Sequence, residues 1–309
     1  MNIATMIITV LGLSLFEIVS SIDNAVINAE VLGTMSARGK RWFLGWGFIL
    51  AVFIVRGLLP WIIVWAATPM LSPLQALTAT WNANTAVSSA IERTAPILLM
   101  GGGVFLVLLF FHWLFLEKKA VGLPHERFFQ NFGAQNNIRF FATIVVFLSI
   151  LIGYCASIAL ALVFACIIGA IIFFITDGFK ENAEKAEKEL TFGKHPKSDL
   201  SKILYLEIID ATFSVDGVLG AFAFTLSVPL ILIGNGLGAF ILRKLTLGNI
   251  EQIKKYIYLK NGAMHSIAVL GLLMIADGFG AHIPAVVSPL ITFVIIGYFF
   301  LKSHNTLKS

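Results

Sequence analysis

Apolar runs of about 20 residues recur along this chain, separated by short polar and basic stretches, and that spacing leaves few folds open. A run of this length makes a helix that spans a hydrocarbon core of about 30 Å. The expected spans are 3–32, 42–66, 97–116, one or two within 140–176, 203–226, 228–245, 258–275 and 283–301. Composition agrees, with 58% apolar residues, 13% charged residues and a mean hydropathy of +0.89. The fold class expected is all-α, a polytopic membrane protein of about nine transmembrane helices.

The run from Phe140 to Thr176 decides the count. As one helix it would be roughly 55 Å long, too long for a single crossing, so it is expected to fold as a hairpin turning near Gly153, Tyr154 and Ser157. The positive-inside rule supports nine crossings with the N-terminus outside and the C-terminus in the cytoplasm. In that arrangement all the basic segments fall on one side: Arg38/Lys40/Arg41, Lys118/Lys119/Arg127/Arg139, Lys180 to Lys202, and Arg243/Lys244/Lys254/Lys255/Lys260. The net charge of +5 is thereby assigned to cytoplasmic loops, and no nucleic-acid partner is expected. The first run continues through Glu17 and Asp23 and reads as a retained helix rather than a cleaved leader. Cys155 and Cys166 lie in one apolar run without metal-ligand spacing and read as packing residues.

An internal repeat carries the chemistry. LFEIVSSIDNAVINAE and EIIDATFSVDGVLGAF superpose at a shift of about 193, setting Glu17 on Asp210, Ser21 on Ser214 and Asp23 on Asp216. Each copy is followed by a helix bearing one arginine, Arg56 or Arg243. An odd number of crossings between the copies makes the repeat inverted, the arrangement that puts substrate and coupling-ion sites near the bilayer midplane. One transmembrane domain, 1–309, is therefore expected, with halves at 1–139 and 203–309, the hairpin at 140–176 and a polar cytoplasmic linker at 177–202.

Carboxylates inside a membrane cost about 2.5–3.5 kcal/mol each on insertion scales, so Glu17, Asp23, Glu207, Asp210 and Asp216 call for a compensating partner. With Asn24, Ser214 and the supporting Ser20 and Ser21 they form a hard-oxygen set suited to manganese, magnesium or calcium. A divalent cation is thus the expected substrate, with no tightly bound cofactor and with protons as a coupling ion. The competing reading is that Arg56 and Arg243 form buried ion pairs with these acids and only register the helices, or act as gates. At 100° per residue Glu17, Ser20, Ser21, Asn24 and Asn28 share a stripe from which Asp23 points away, and Asp216 likewise leaves the stripe of Glu207, Asp210, Ser214 and Gly217, so either the second acid faces a different partner or the helix unwinds near it, which Gly217 would ease.

Weaker signals are His112 and His265, each alone in a span and read as packing, His195 in the polar linker, and Gly101-Gly102-Gly103, read as a close helix contact. No nucleophile, base and orienting group fall together, so no enzyme is expected.

The pair FEIVSSIDNAV and LEIIDATFSVDGVLGAFA, with the arginine-bearing second helices, YLKNGA and HIPAVVSPL, resembles the TerC-like integral membrane proteins, in particular their domain-of-unknown-function branch. The resemblance implies the lysine-exporter superfamily, an inverted-repeat fold and manganese export from the bacterial cytoplasm across the inner membrane. It carries the acidic motif onto Glu17, Asp23 and Asn24 and onto Asp210, Ser214 and Asp216; Gly217 departs from the polar residue common there. The alternatives are a membrane scaffold or metallation partner docking through 177–202, and an exporter of another small solute.

Overall fold

The computed structural model describes residues 2–78, 85–117, 119, 122–134, 137–192, 198–248 and 255–308. Some side chains within helices, Asp23 among them, lie outside that description, as does the loop holding His195. The described residues are helices, turns and loops, an all-α fold. They form α1 (Ile3–Ser20), α2 (Ile22–Gly33), α3 (Ala37–Ala67), α4 (Pro73–Thr78), α5 (Thr85–Phe115), α6 (Pro124–Ala134), α7 (Asn137–Ala156), α8 (Leu160–Phe192), α9 (Asp199–Ala221), α10 (Val228–Gly248), α11 (Leu259–Gly278) and α12 (Val287–Lys308).

Eight of these are long and apolar enough to cross a membrane: α1, α3, α5, α7, α8, α10, α11 and α12. The protein is therefore a multi-pass membrane protein. The ninth crossing expected from sequence corresponds to α9, whose Asp199, Lys202, Glu207, Asp210 and Asp216 make it too polar for that measure. It is nonetheless two-faced. Leu200, Leu204 and Ile208 form an exposed apolar stripe, and Asp210, Ser214 and Gly217 are buried on the other side. Exposed Ile3, Ile7, Leu11, Phe53, Ile150 and Val294 extend the same lipid-compatible surface over the neighbouring helices.

Phe140 to Thr176 folds as α7 and α8 with a short turn between them, closed by Ser157 N–H to Tyr154 O at 3.1 Å and Ile158 N–H to Cys155 O at 3.0 Å. Gly153 stays inside α7. The polar segment that follows starts as helix, α8 continuing to Phe192, and so carries Asp177 and Lys180 back against the bundle.

α5 is the inner helix. Two-thirds of its apolar window is buried, 67% against 22% for α7. Its triple glycine is the reason its neighbours lie so close. A Cβ on Gly169 of α8 would overlap the carbonyl of Gly101, and one on Gly103 would stand 2.7 Å from the carbonyl of Gly271 in α11. α1 meets α10 in the same way, with Ser14 O lying 2.7 Å from where a Gly238 Cβ would stand.

The acid-bearing helices run antiparallel. Going up α1 and α2, Phe16 packs on Gly220, Glu17 on Gly217, Asn24 bonds Asp210, Thr34 accepts from Lys202 and Ser36 bonds Asp199. α3 and α10 are antiparallel too, through Gly57 on Leu232, Val52 on Gly236, Phe48 on Phe240 and Phe43 on Arg243.

The two acidic segments differ locally. α1 stops at Ser20, Ser21 leaves the helical region (φ −101°, ψ 10°), and α2 restarts one residue before Asp23. Hydroxyl, carboxylate and amide side chains in succession compete for backbone partners and weaken a helix there. α9 instead runs unbroken through Asp216 and Gly217, and its second acid faces a different partner, Lys180 of α8. The hydroxyl of Ser214 donates to the carbonyl of Asp210 one turn back, 2.6 Å away, so its polarity is met inside the helix. The glycine has another use, because a Cβ at Gly217 would stand 2.7 Å from Glu17 Oε2.

α3 contains two wide π-helical stretches, Phe43–Gly47 and Ala51–Leu58, the second carrying Arg56. Such turns are frequent at functional sites, where they re-aim side chains.

Candidate cation site at the break between the first two helices

Arg56 stands at the centre. It reaches Glu17 Oε1 through Nε at 2.8 Å and Nη2 at 2.7 Å, and Asp210 Oδ2 through Nη1 at 3.0 Å. Arg56 and Glu17 are 2% and 0% exposed, so the triad sits where an unpaired charge would be very costly. Asn24 Nδ2 donates to Asp210 Oδ1 at 2.6 Å, and Ser21 donates to Glu17 Oε1 at 3.2 Å. Ser21 and Asn24 keep to the helical stripe of Glu17 across the junction at Ser21, which sets Ser21 on the Glu17 carboxylate and Asn24 on the Asp210 carboxylate.

A cavity of about 30 Å³, room for about one water molecule, opens beside the triad. Arg56, Asp210, Asn24 and Asn28 line one part of it and Arg243, Phe43 and Phe48 another. Three buried oxygens in this neighbourhood lack hydrogen-bond donors: Glu17 Oε2, Asn24 Oδ1 and Asn28 Oδ1. Buried acceptors are nearly always paired, so such a group signals a missing partner.

The second half holds a separate pair. Arg243 Nη2 lies 3.4 Å from Glu207 Oε1, donates through Nη1 to Phe43 O at 2.9 Å, and its guanidinium carbon is 4.1 Å from the Phe43 ring centroid. Glu17 with Arg56 and Glu207 with Arg243 each join an acid to the arginine of the next apolar helix, although the acid in register with Glu17, Asp210, is itself held by Arg56.

Of the residues expected in the site, the structure brings together Glu17, Ser21, Asn24, Asp210 and Arg56. Glu207 and Arg243 stand next to them, and Ser214 supports Asp210 only through its backbone. Ser20 bonds Glu17 O at 3.4 Å and takes no part. Asp216 is not shared with Glu17. It pairs with Lys180, which α8 delivers, while the neighbouring Asp177 lies 3.3 Å from His112. The sequence reading missed Lys180 because it lies past the apolar run. It missed also Asn235 of α10, 0% exposed with both amide atoms unpartnered, for which a polar residue amid LILIGNGLGAF was the available signal.

A family model described as protein of unknown function (DUF475) matches residues 22–308, which include every site residue except Glu17, Ser20 and Ser21. The chain is 32% identical over 108 residues to the uncharacterized membrane protein YceF of Bacillus subtilis (strain 168). That match spans 35% of this chain and 39% of the relative's length. No solved structure matches.

Proposed function

Starting from the fact that the chain belongs to the family described as protein of unknown function (DUF475), we propose that it is a secondary transporter of a divalent cation, with manganese(II) the leading substrate. The observation that carries this reading is the set of buried oxygens left without donors beside a triad holding one carboxylate more than its arginine neutralises. Carboxylate and amide oxygens form the donor set that hard divalent ions prefer. The likeness to TerC-like proteins supports the same substrate and export across a bacterial inner membrane. Antiparallel packing of the acid-bearing helices, and of the arginine-bearing ones, supports an inverted repeat.

In this mechanism Arg56 holds the cation's place while the carrier is empty. An entering ion competes for Glu17 and Asp210 and frees the guanidinium, and departure of the ion returns it. Protons serve equally as the exchanged ion, since the same carboxylates accept them. The contrary reading, an ion triad that only registers the helices, is favoured by the completeness of the Arg56 bonds.

Cellular manganese separates the two. Cells expressing the wild type after a manganese load should retain several-fold less of the metal than vector controls, and Asp210→Asn or Glu17→Gln should abolish the difference while the protein stays in the membrane. Equal manganese in wild type and vector would sink the export reading.

A further inference from the structure

A second group of ligand atoms lies away from the triad, where the start of α6 meets α11. We propose that His125, Glu126 and His265 form a binding site for a borderline transition-metal dication of the zinc or cobalt class. This site shares no residue with the Glu17 and Asp210 site, and it stands whether or not that site transports manganese.

His125 Nε2 and His265 Nε2 are 3.2 Å apart, and one ligand atom from each of the three residues lies within 4.8 Å of the others. Two imidazole nitrogens on one tetrahedral zinc, at about 2.0–2.1 Å from the metal, would stand about 3.3 Å from each other. The spacing in the protein is already that of two ligands.

The surroundings set the atoms up for this use. His265 Nδ1 lies 2.8 Å from the carbonyl of Asn261, one turn back on α11, so the proton belongs on Nδ1 and the lone pair on Nε2 faces His125. Such an outer bond commonly fixes a metal-bound histidine. Glu126 is 0% exposed. Its Oε2 accepts from Leu123 N–H and from Asn261 Nδ2, both at 2.7 Å, which orients the carboxylate. Its Oε1 has no hydrogen-bond partner, and His265 Nδ1 stands 3.7 Å from it, beyond hydrogen-bond reach. Lys119, whose charge acts on Glu126, directs its ammonium to the carbonyls of Trp113 and Leu114 at 2.8 and 2.9 Å. Asn261 thus positions two of the three ligands at once.

A direct imidazole-to-imidazole hydrogen bond would explain the 3.2 Å contact without a metal. It would leave Glu126 Oε1 buried and unsatisfied, a state that costs more for a carboxylate than for a neutral group. A cation accounts for both. Two imidazoles and one carboxylate favour zinc or cobalt over magnesium or calcium, which prefer all-oxygen shells. The exposed side of His125 leaves a route for the ion and a fourth position for water.

The test uses the full chain in detergent, stripped with chelator and titrated with cobalt(II) alone. One equivalent should give the visible absorption of four-coordinate cobalt, discharged by zinc(II). His125→Ala, at an exposed position where folding should survive, should abolish the signal. Asn261→Ala should weaken binding about 10–100-fold. Glu17→Gln should leave the signal intact. No cobalt spectrum, a spectrum unchanged in His125→Ala, or one lost in Glu17→Gln but kept in His125→Ala would each overturn the assignment.

Discussion

Arg56 uses three nitrogens on two carboxylates from opposite halves of the chain, which a lysine, with a single compact charge, cannot reproduce. Arg56→Met leaves Glu17 and Asp210 buried without their counter-ion and should destabilise the detergent-solubilised protein by about 3–5 kcal/mol, seen as a lower Tm. Pairing it with Glu17→Gln should recover part of that loss, because contacting residues are not additive. A wild-type melting curve for Arg56→Met would contradict the triad. These residues were legible in the sequence because a charge amid aliphatic neighbours is anomalous wherever it stands. Lys180 and Glu126 were not. Both lie in stretches that read as solvated, and each takes its role from a partner far along the chain, Asp216 or Asn261.

At the scale of elements, the hairpin was readable from apolar length, whereas the stripe from which Asp23 points away fitted a break in the first span or a different partner for that acid equally well. The continuity of α9 was not readable either, because Gly217 signals freedom to a reader of sequence when its use here is clearance for Glu17. The inner crossing of α5 and α8 makes a sharper demand. Gly169 faces the Gly101 carbonyl so closely that even a methyl group must push the helices apart. Gly169→Ala should therefore lower stability by about 1–3 kcal/mol in a thermal melt, although alanine is the better helix former. The same change at Gly297, which has open space around it, should be neutral or mildly stabilising, and equal effects at the two sites would refute the packing argument.

For the whole molecule, α9 decides the topology, since nine crossings put the chain ends on opposite sides of the bilayer and eight put them on the same side. We expect a single cysteine replacing Asn2 to react with a membrane-impermeant maleimide on intact cells and one replacing Asn305 to react only after lysis, in a Cys155→Ala/Cys166→Ala background. Labelling of both from the same side would remove α9 from the set of crossings and with it the inverted topology. Hydropathy alone could not decide this, because the charges that make α9 chemically useful are the ones that disguise it. Where α5 meets α8 and α11, and where α1 meets α10, peptide lies directly on peptide, with no torsion available at the joint. Such joints behave as welds. α9 touches both welded blocks through side chains and ions, Asp216 toward Lys180 of α8 and Gly217 toward Glu17 of α1. It is a wedge between two stiff pieces, so a change of partner at Asp210 would be delivered as movement of one rod rather than dissipated through the bundle.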